Sequence, residues 1–218
     1  MEVTKVPALA LASRIIPNVD KGLRNSLKLP DYIKSLAFVT STSDDVGYTA
    51  LDEATKKSAV EVVYAKSFYT GAAHASGPLS GEFLGILGAA TPSEVKSGLE
   101  IAIQMINEGP AFYAMDESGE HAYYAHTISR TGTYLSKMAG INAGEPLAYL
   151  IAPPLEAMVG LDAALKAADV RLCVFYGPPT ETNFGGGLLT GSQSSCTAAT
   201  EAFADTIKKI AKTPHLTF

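Results

Sequence analysis

Two apolar runs of strand length stand out along the chain: SLAFVT at residues 35–40 and PLAYLI at residues 146–151. Both are alternating or continuous in apolar residues, the pattern of strands with one or both faces covered. Residues 50–63 then read ALDEATKKSAVEVV, and residues 160–173 read GLDAALKAADVRLC. Leu51, Asp52, Ala54, Lys56 and Val60 recur as Leu161, Asp162, Ala164, Lys166 and Val170, each at an offset of 110. A third pair follows: GILG at 85–88 resembles LLTG at 188–191, now at an offset of 103. The first half thus carries about seven extra residues, within Tyr69 to Ser80.

Each half closes on an amphipathic helix. Thr91-Pro92-Ser93-Glu94 is a capping box with proline at the first helical position, and Val95, Leu99, Ala102, Ile103 and Ile106 form one stripe. Ala199, Ala202, Phe203, Ile207 and Ile210 do the same in the second half. An early strand precedes each half, at Leu9–Ile16 and His121–Ile128. Three matched blocks in one order predict an internal duplication. The fold class is α/β: two units of α+β, ferredoxin-like layering, each a small sheet covered by helices. The expected domains are residues 1–111 and 112–218.

Composition narrows the function. Charged residues are 18% of the chain and hydrophobic ones 47%, little polar material to cover a lone particle, so partner chains are expected over part of the surface. The net charge is −5 without a Lys/Arg run, which argues against nucleic acid. The longest apolar stretch, Pro146 to Leu161, is broken by Pro153, Pro154 and Glu156 and falls short of a membrane span. Arg14 interrupts the apolar start too early for a signal peptide. Two cysteines make no disulfide framework, so a reducing, cytoplasmic setting is expected.

Candidate chemistry is sparse. The four histidines form no metal motif, and His74 in the long loop is the one worth testing as a ligand. No nucleophile elbow or phosphate loop occurs. Gly185-Gly186-Gly187 after Phe184 reads either as a mobile loop or as a plain turn. Cys196 opens the last helix without an evident base and reads as a small buried residue. Asp44-Asp45, in a polar loop after SLAFVT, and Glu82, at the start of the next strand, are able to hold an ammonium group. The residues by themselves favour a different role, compensation of a helix terminus, because a helix is expected to start within a few residues of Asp45.

Four long strings carry a resemblance: DDVGYTALDEATKKSAVEVVYAKSFYTGAAHASGP, SRTGTYLSKMAGI, LAYLIAPPLEAMVGLDAALKAADV and PPTETNFGGGLLTGSQSSC. They resemble the tandem-domain shell proteins of ethanolamine-utilisation bacterial microcompartments, from about Ala12 to Lys209. The resemblance implies two tandem, circularly permuted microcompartment domains. It implies a homotrimeric, pseudo-hexameric disc that tiles with other shell proteins, and a structural role without catalysis, cofactor or metal. It further implies a central pore gated by residues 67–80 and 176–187, with His74, Thr182, Asn183, Phe184, Gly185 and Gly186 at the gate. Phe184 would be the plug and the glycines the hinge. A small pore would bind ethanolamine through Asp45, Glu82 and Phe112. A soluble ethanolamine-binding or sensor protein of the same duplicated design is the alternative.

Overall fold

A computed structural model describes residues 3–70, 77–119 and 121–215. The chain divides into two compact units. One comprises Pro7–Pro110 with Gly132–Leu135, the other Met1–Val6, Ala111–Thr131 and Ser136–Phe218. Two segments therefore cross the cut expected at residue 111. The first strand, β1 (Thr4–Val6), pairs with β6 (Phe112–Ala114) in the second unit.

The first unit holds β2 (Ala10–Ile16), α1 (Lys21–Ser26), β3 (Ser35–Ser41), α2 (Asp44–Lys57), β4 (Glu61–Ser67), β5 (Phe83–Ala89) and α3 (Pro92–Glu108). Its antiparallel sheet runs β2-β3-β5-β4. In β3, Leu36 joins Val19, Ile33 and Ile86 in a cluster on one sheet face. The opposite face is covered by α2 and α3. The expected capping box forms: Thr91 accepts from the Glu94 N–H, and the Glu94 carboxylate accepts from the Thr91 N–H at 2.9 Å.

The second unit adds β7 (Ala122–Ile128), α4 (Thr133–Ala139), β8 (Leu147–Ala152), α5 (Pro154–Ala167), β9 (Val170–Tyr176), β10 (Gly185–Gly191) and α6 (Gln193–Lys212). The order β7-β8-β10-β9 repeats that of the first unit, and β1-β6 extend it beyond β7. Leu150, Leu161, Leu189, Phe203 and Ile207 form its core between sheet and helices. Each unit is thus a sheet layered with helices, the α+β arrangement expected.

Strand register makes the duplication exact to the residue and corrects one match. Ile16 lies opposite Leu36, and Leu36 opposite Gly88. Ile128 lies opposite Leu147, and Leu147 opposite Thr190. Gly88 therefore corresponds to Thr190, an offset of 102, one fewer than the resemblance of GILG to LLTG suggests. Packing agrees: a Cβ at Gly85 would meet Leu51, and one at Gly187 would meet Leu161.

The glycine run is a second correction. Gly185, Gly186 and Gly187 are buried residues of β10, laddered to β8 on one side, with Gly186 and Gly187 also laddered to β9 on the other. They are strand residues, where a loop or a turn was expected. At Gly186 φ is +156°, and a Cβ there would lie 1.9 Å from the Leu150 carbonyl oxygen. Bare glycine lets three backbones approach at this point.

Candidate functional site

The polar loop expected at Asp44-Asp45 is the first turn of α2. Ser43 is its N-cap, the Ser43 hydroxyl accepts from the Val46 N–H, and Asp44 Oδ1 accepts from the Asp45 N–H at 2.9 Å. Both aspartates are buried. The positive end of the helix dipole favours carboxylates at these positions.

Glu82 reaches the same place by a backbone route. Gly81, at φ +58°, would put a Cβ 2.0 Å from the Ser41 carbonyl oxygen. Glycine alone lets this segment close onto the end of β3, where the Glu82 N–H donates to that carbonyl at 2.9 Å. The Thr70 hydroxyl lies 3.5 Å from Glu82 Oε1. Burial, with the Asp44 charge beside it, pushes the Glu82 carboxyl above the usual carboxylate range.

Tyr48 completes the cluster from the next turn of α2. Its hydroxyl donates to Ser67 Oγ at 3.1 Å, and its ring meets Phe83 edge-on with centroids 5.0 Å apart. Burial raises the phenol pKa, and the Asp44 and Asp45 charges raise it further. Tyr48, Ser67 and Thr70 were not among the sequence candidates. The Gly-Glu pair preceding β5 was the signal available for this corner. The cluster offers acceptors and negative charge in a half-dry niche, which suits a small cation with N–H donors.

The second unit carries different chemistry at the matched positions. Glu82 corresponds to Phe184, each preceding its strand, while Asp45 corresponds to Leu155 and Tyr48 to Met158. Phe184 ends a tight turn in which the Thr180 N–H donates to the Phe184 carbonyl and the Asn183 N–H to the Thr180 carbonyl, both at 3.0 Å. Thr182 Oγ1 lies 3.4 Å from Thr180 Oγ1, and Asn183 takes φ +66°. The Phe184 ring stands 5.8 Å from Phe112, which in turn lies 5.4 Å from Tyr124. Phe112, expected with Asp45 and Glu82, thus belongs to the second unit beside Phe184. His74 lies outside the described residues.

A further carboxylate, Asp52 of α2, holds the start of α4. It is fully buried and accepts from the Gly132 N–H at 2.7 Å and the Leu135 N–H at 2.9 Å. Thr55 Oγ1 accepts from the Thr133 N–H at 3.0 Å, and Tyr48 stacks on Tyr134 at 6.2 Å.

Cys196 is buried against the Leu189 carbonyl, and burial pushes its thiol pKa up, which keeps it inert. His121 pairs with Glu156 at 2.8 Å. Among the described residues no three His, Cys, Asp or Glu side chains gather as a metal site, and no helix is long and apolar enough to cross a membrane.

Comparison with known proteins decides the family. The BMC domain matches residues 35–115. That stretch starts at β3 and omits β2, which precedes β3 in the chain yet pairs with it. The bacterial microcompartment shell protein EutL of Clostridium perfringens is 55% identical over 204 residues, 94% of each chain. The chain belongs to the EutL family of bacterial microcompartment shell proteins. The crystal structure of the ethanolamine utilization protein EutL from Leptotrichia buccalis superposes with a TM-score of 0.96 at 58% identity, covering 100% of both chains. The fold is shared more distantly with a trimeric shell protein PduB, at a TM-score of 0.77 and 19% identity over 94% of this chain and 89% of that one. As an EutL-family member the chain is a structural, non-enzymatic component of a microcompartment shell for ethanolamine utilisation, assembled with other shell proteins. The two units are its tandem BMC domains.

Proposed function

We propose that the chain forms a homotrimeric ring with pseudo-sixfold symmetry, passes ethanolamine through small pores and gates a central pore with loops. The observation that carries the ligand is the acidic corner of Asp44, Asp45 and Glu82 beside Tyr48. Protonated ethanolamine has an ammonium for the carboxylates and a hydroxyl for the Thr70 or Ser67 oxygens. The utilisation of ethanolamine named for the Leptotrichia relative supports the choice of cation. Trimer formation is supported by the duplicated unit, which needs half as many chains to close a ring.

Thr182, Asn183 and Phe184, together with His74 of the sequence-matched loop, are the proposed gate. The turn from Thr180 to Phe184 is the element that moves, and β10 stays laddered. Ethanolamine biases the gate only by its differential affinity for the two loop states.

Titration calorimetry with ethanolamine tests the ligand. The parent chain binds, and Asp45→Asn with Glu82→Gln loses at least about tenfold in affinity, the loss of a charge-assisted bond. Equal affinity in parent and variant removes ethanolamine from this corner. Light scattering tests the ring: three times the 22.8 kDa chain mass is expected, and a stable monomer refutes it.

A further inference from the structure

Helices α3 and α6 match from their N-caps onward. Thr91 caps one and Ser192 the other, and the buried Val95, Gly98, Ala102 and Ile106 stand where Cys196, Ala199, Phe203 and Ile207 stand, each at an offset of 101. Two positions on the same flank of the helix differ in size: Leu99 corresponds to Thr200, and Ile103 to Ala204. Leu99 is buried and Ile103 half-buried in the first unit. In the second unit, with smaller side chains there, a cavity of about 430 Å³ opens between α6 and the strands β6 and β7. Small-molecule sites have volumes of roughly 300–1,000 Å³.

The cavity has an aromatic floor and a charged lip. Tyr123 of β7 is buried at the floor, and Tyr113, its register partner on β6, stands exposed at the rim, with ring centroids 6.0 Å apart. Val3, Ala125 and Ala204 add apolar wall. Thr200 brings a hydroxyl where the first unit has Leu99. It donates to the Cys196 carbonyl at 2.8 Å and accepts from the Thr127 hydroxyl at 2.9 Å, which leaves it one lone pair. Glu201, Asp205 and Lys208 form the lip along one face of α6. Lys208 is engaged within it, donating to Asp205 Oδ1 at 3.1 Å and to the Tyr123 hydroxyl. Among the described residues Glu201 pairs with no cation. Two carboxylates against one ammonium leave the lining with an excess of negative charge. The first unit builds nothing similar: Asn107 stands at the position of Lys208 and accepts from the Ala10 N–H at 2.9 Å.

We infer that this cavity binds a small amphipathic organic cation, an ammonium group carried on an alkyl or aryl body. The body lies against Tyr113, Tyr123 and Ala204, where burial of apolar surface drives binding and the ring faces favour positive charge. The ammonium pairs with Glu201 and donates to the free lone pair of Thr200. Ethanolamine is a poor match, because it has no apolar body to set against the rings. Organic anions are repelled by Glu201 and Asp205, and neutral molecules of the same shape forgo the ion pair. The site belongs to the second unit alone and depends on neither the acidic corner nor the gate proposed above.

Titration calorimetry of the full chain with phenethylammonium as the probe tests the site, with phenylethyl alcohol as its neutral counterpart. The probe should bind with a millimolar Kd or tighter, and the alcohol at least about tenfold more weakly for want of the charge-assisted bond. Glu201→Gln, at an exposed position, should weaken the probe by a similar factor. Thr200→Leu with Ala204→Ile gives the second unit the side chains of the first, fills the cavity and should abolish binding with circular dichroism unchanged. Ala204→Ile alone, which keeps the Thr200 hydrogen bonds, should weaken the probe in the same direction. Asp45→Asn with Glu82→Gln should leave probe binding as it is in the parent. A parent that does not bind the probe overturns the site, as does a Kd that neither Glu201→Gln nor the filled cavity alters. Binding lost only in the Asp45→Asn, Glu82→Gln variant also overturns it and assigns the cation to the acidic corner.

Discussion

The two repeats share a strand order and a helix pattern, yet they spend the same positions differently. In the first, Asp45, Tyr48, Asp52 and Glu82 make a buried acidic corner and a helix cap. In the second, Leu155, Met158, Asp162 and Phe184 leave an apolar stripe, an exposed ion pair and an aromatic tip. Duplication fixes where a side chain sits and leaves open what it meets. Asp52 and Asp162 show this most clearly: one residue type at one position of one helix, buried with two backbone donors in the first case, open to water beside Lys166 in the second.

The largest effect that would sharpen this contrast is expected at Asp52. Alanine there leaves the Gly132 and Leu135 N–H groups without their acceptor and should cost roughly 3 kcal/mol in denaturant unfolding. An effect below about 1 kcal/mol would mean that water replaces the carboxylate. Next is Gly186→Ala, which drives a methyl into the Leu150 carbonyl from a backbone conformation that suits only glycine. It should cost roughly 2–3 kcal/mol, whereas alanine at the matched Leu84 removes side-chain packing without backbone strain. Unchanged unfolding on Gly186→Ala would show that β10 opens there after all.

A smaller, pH-dependent effect belongs to the acidic corner. The Glu82 pKa is raised in the folded chain, so the folded state holds its proton to higher pH than the unfolded one. Stability from this group is therefore greatest at low pH and declines as pH rises from the ordinary carboxylate pKa through the raised one. Glu82→Gln should raise the unfolding midpoint at pH 7 and leave it nearly unchanged at pH 4. A midpoint that falls at pH 7 would show that a cationic partner already stabilises the carboxylate. Bound ethanolamine should show the opposite trend, weakening as pH drops and Glu82 takes up its proton. The smallest effect is at Asp162: in dilute, dissociated chain, alanine should change stability by less than about 0.5 kcal/mol, as for other exposed pairs. A loss comparable with that at Asp52 would erase the difference between the repeats.

Much of this was legible in the sequence. The alternating apolar runs, the capping box at Thr91 and the offset of 110 specify two similar layered units, and their residue strings specify the family. Short elements were not: α1, α4, β1 and β6 span too few residues for a period to emerge. The one-residue slip between GILG and LLTG arose because glycine and leucine repeat within both strands, and only the ladder to β3 and β8 distinguishes the registers. The glycine run misled for a related reason. Flexibility is glycine's property in an open chain, while between two paired strands its lack of a side chain serves close packing.

The sequence by itself determined the duplication, the α+β layering, the family and the carboxylates worth testing. All of these depend on local pattern and residue identity. Only the tertiary structure decided which aspartate is buried, that Gly81 brings Glu82 to the start of α2, that Phe112 meets Phe184, and that one helix face is covered while its twin is bare. Those outcomes depend on which segments, distant along the chain, come to lie against each other, and burial is a property of that neighbourhood rather than of the residue.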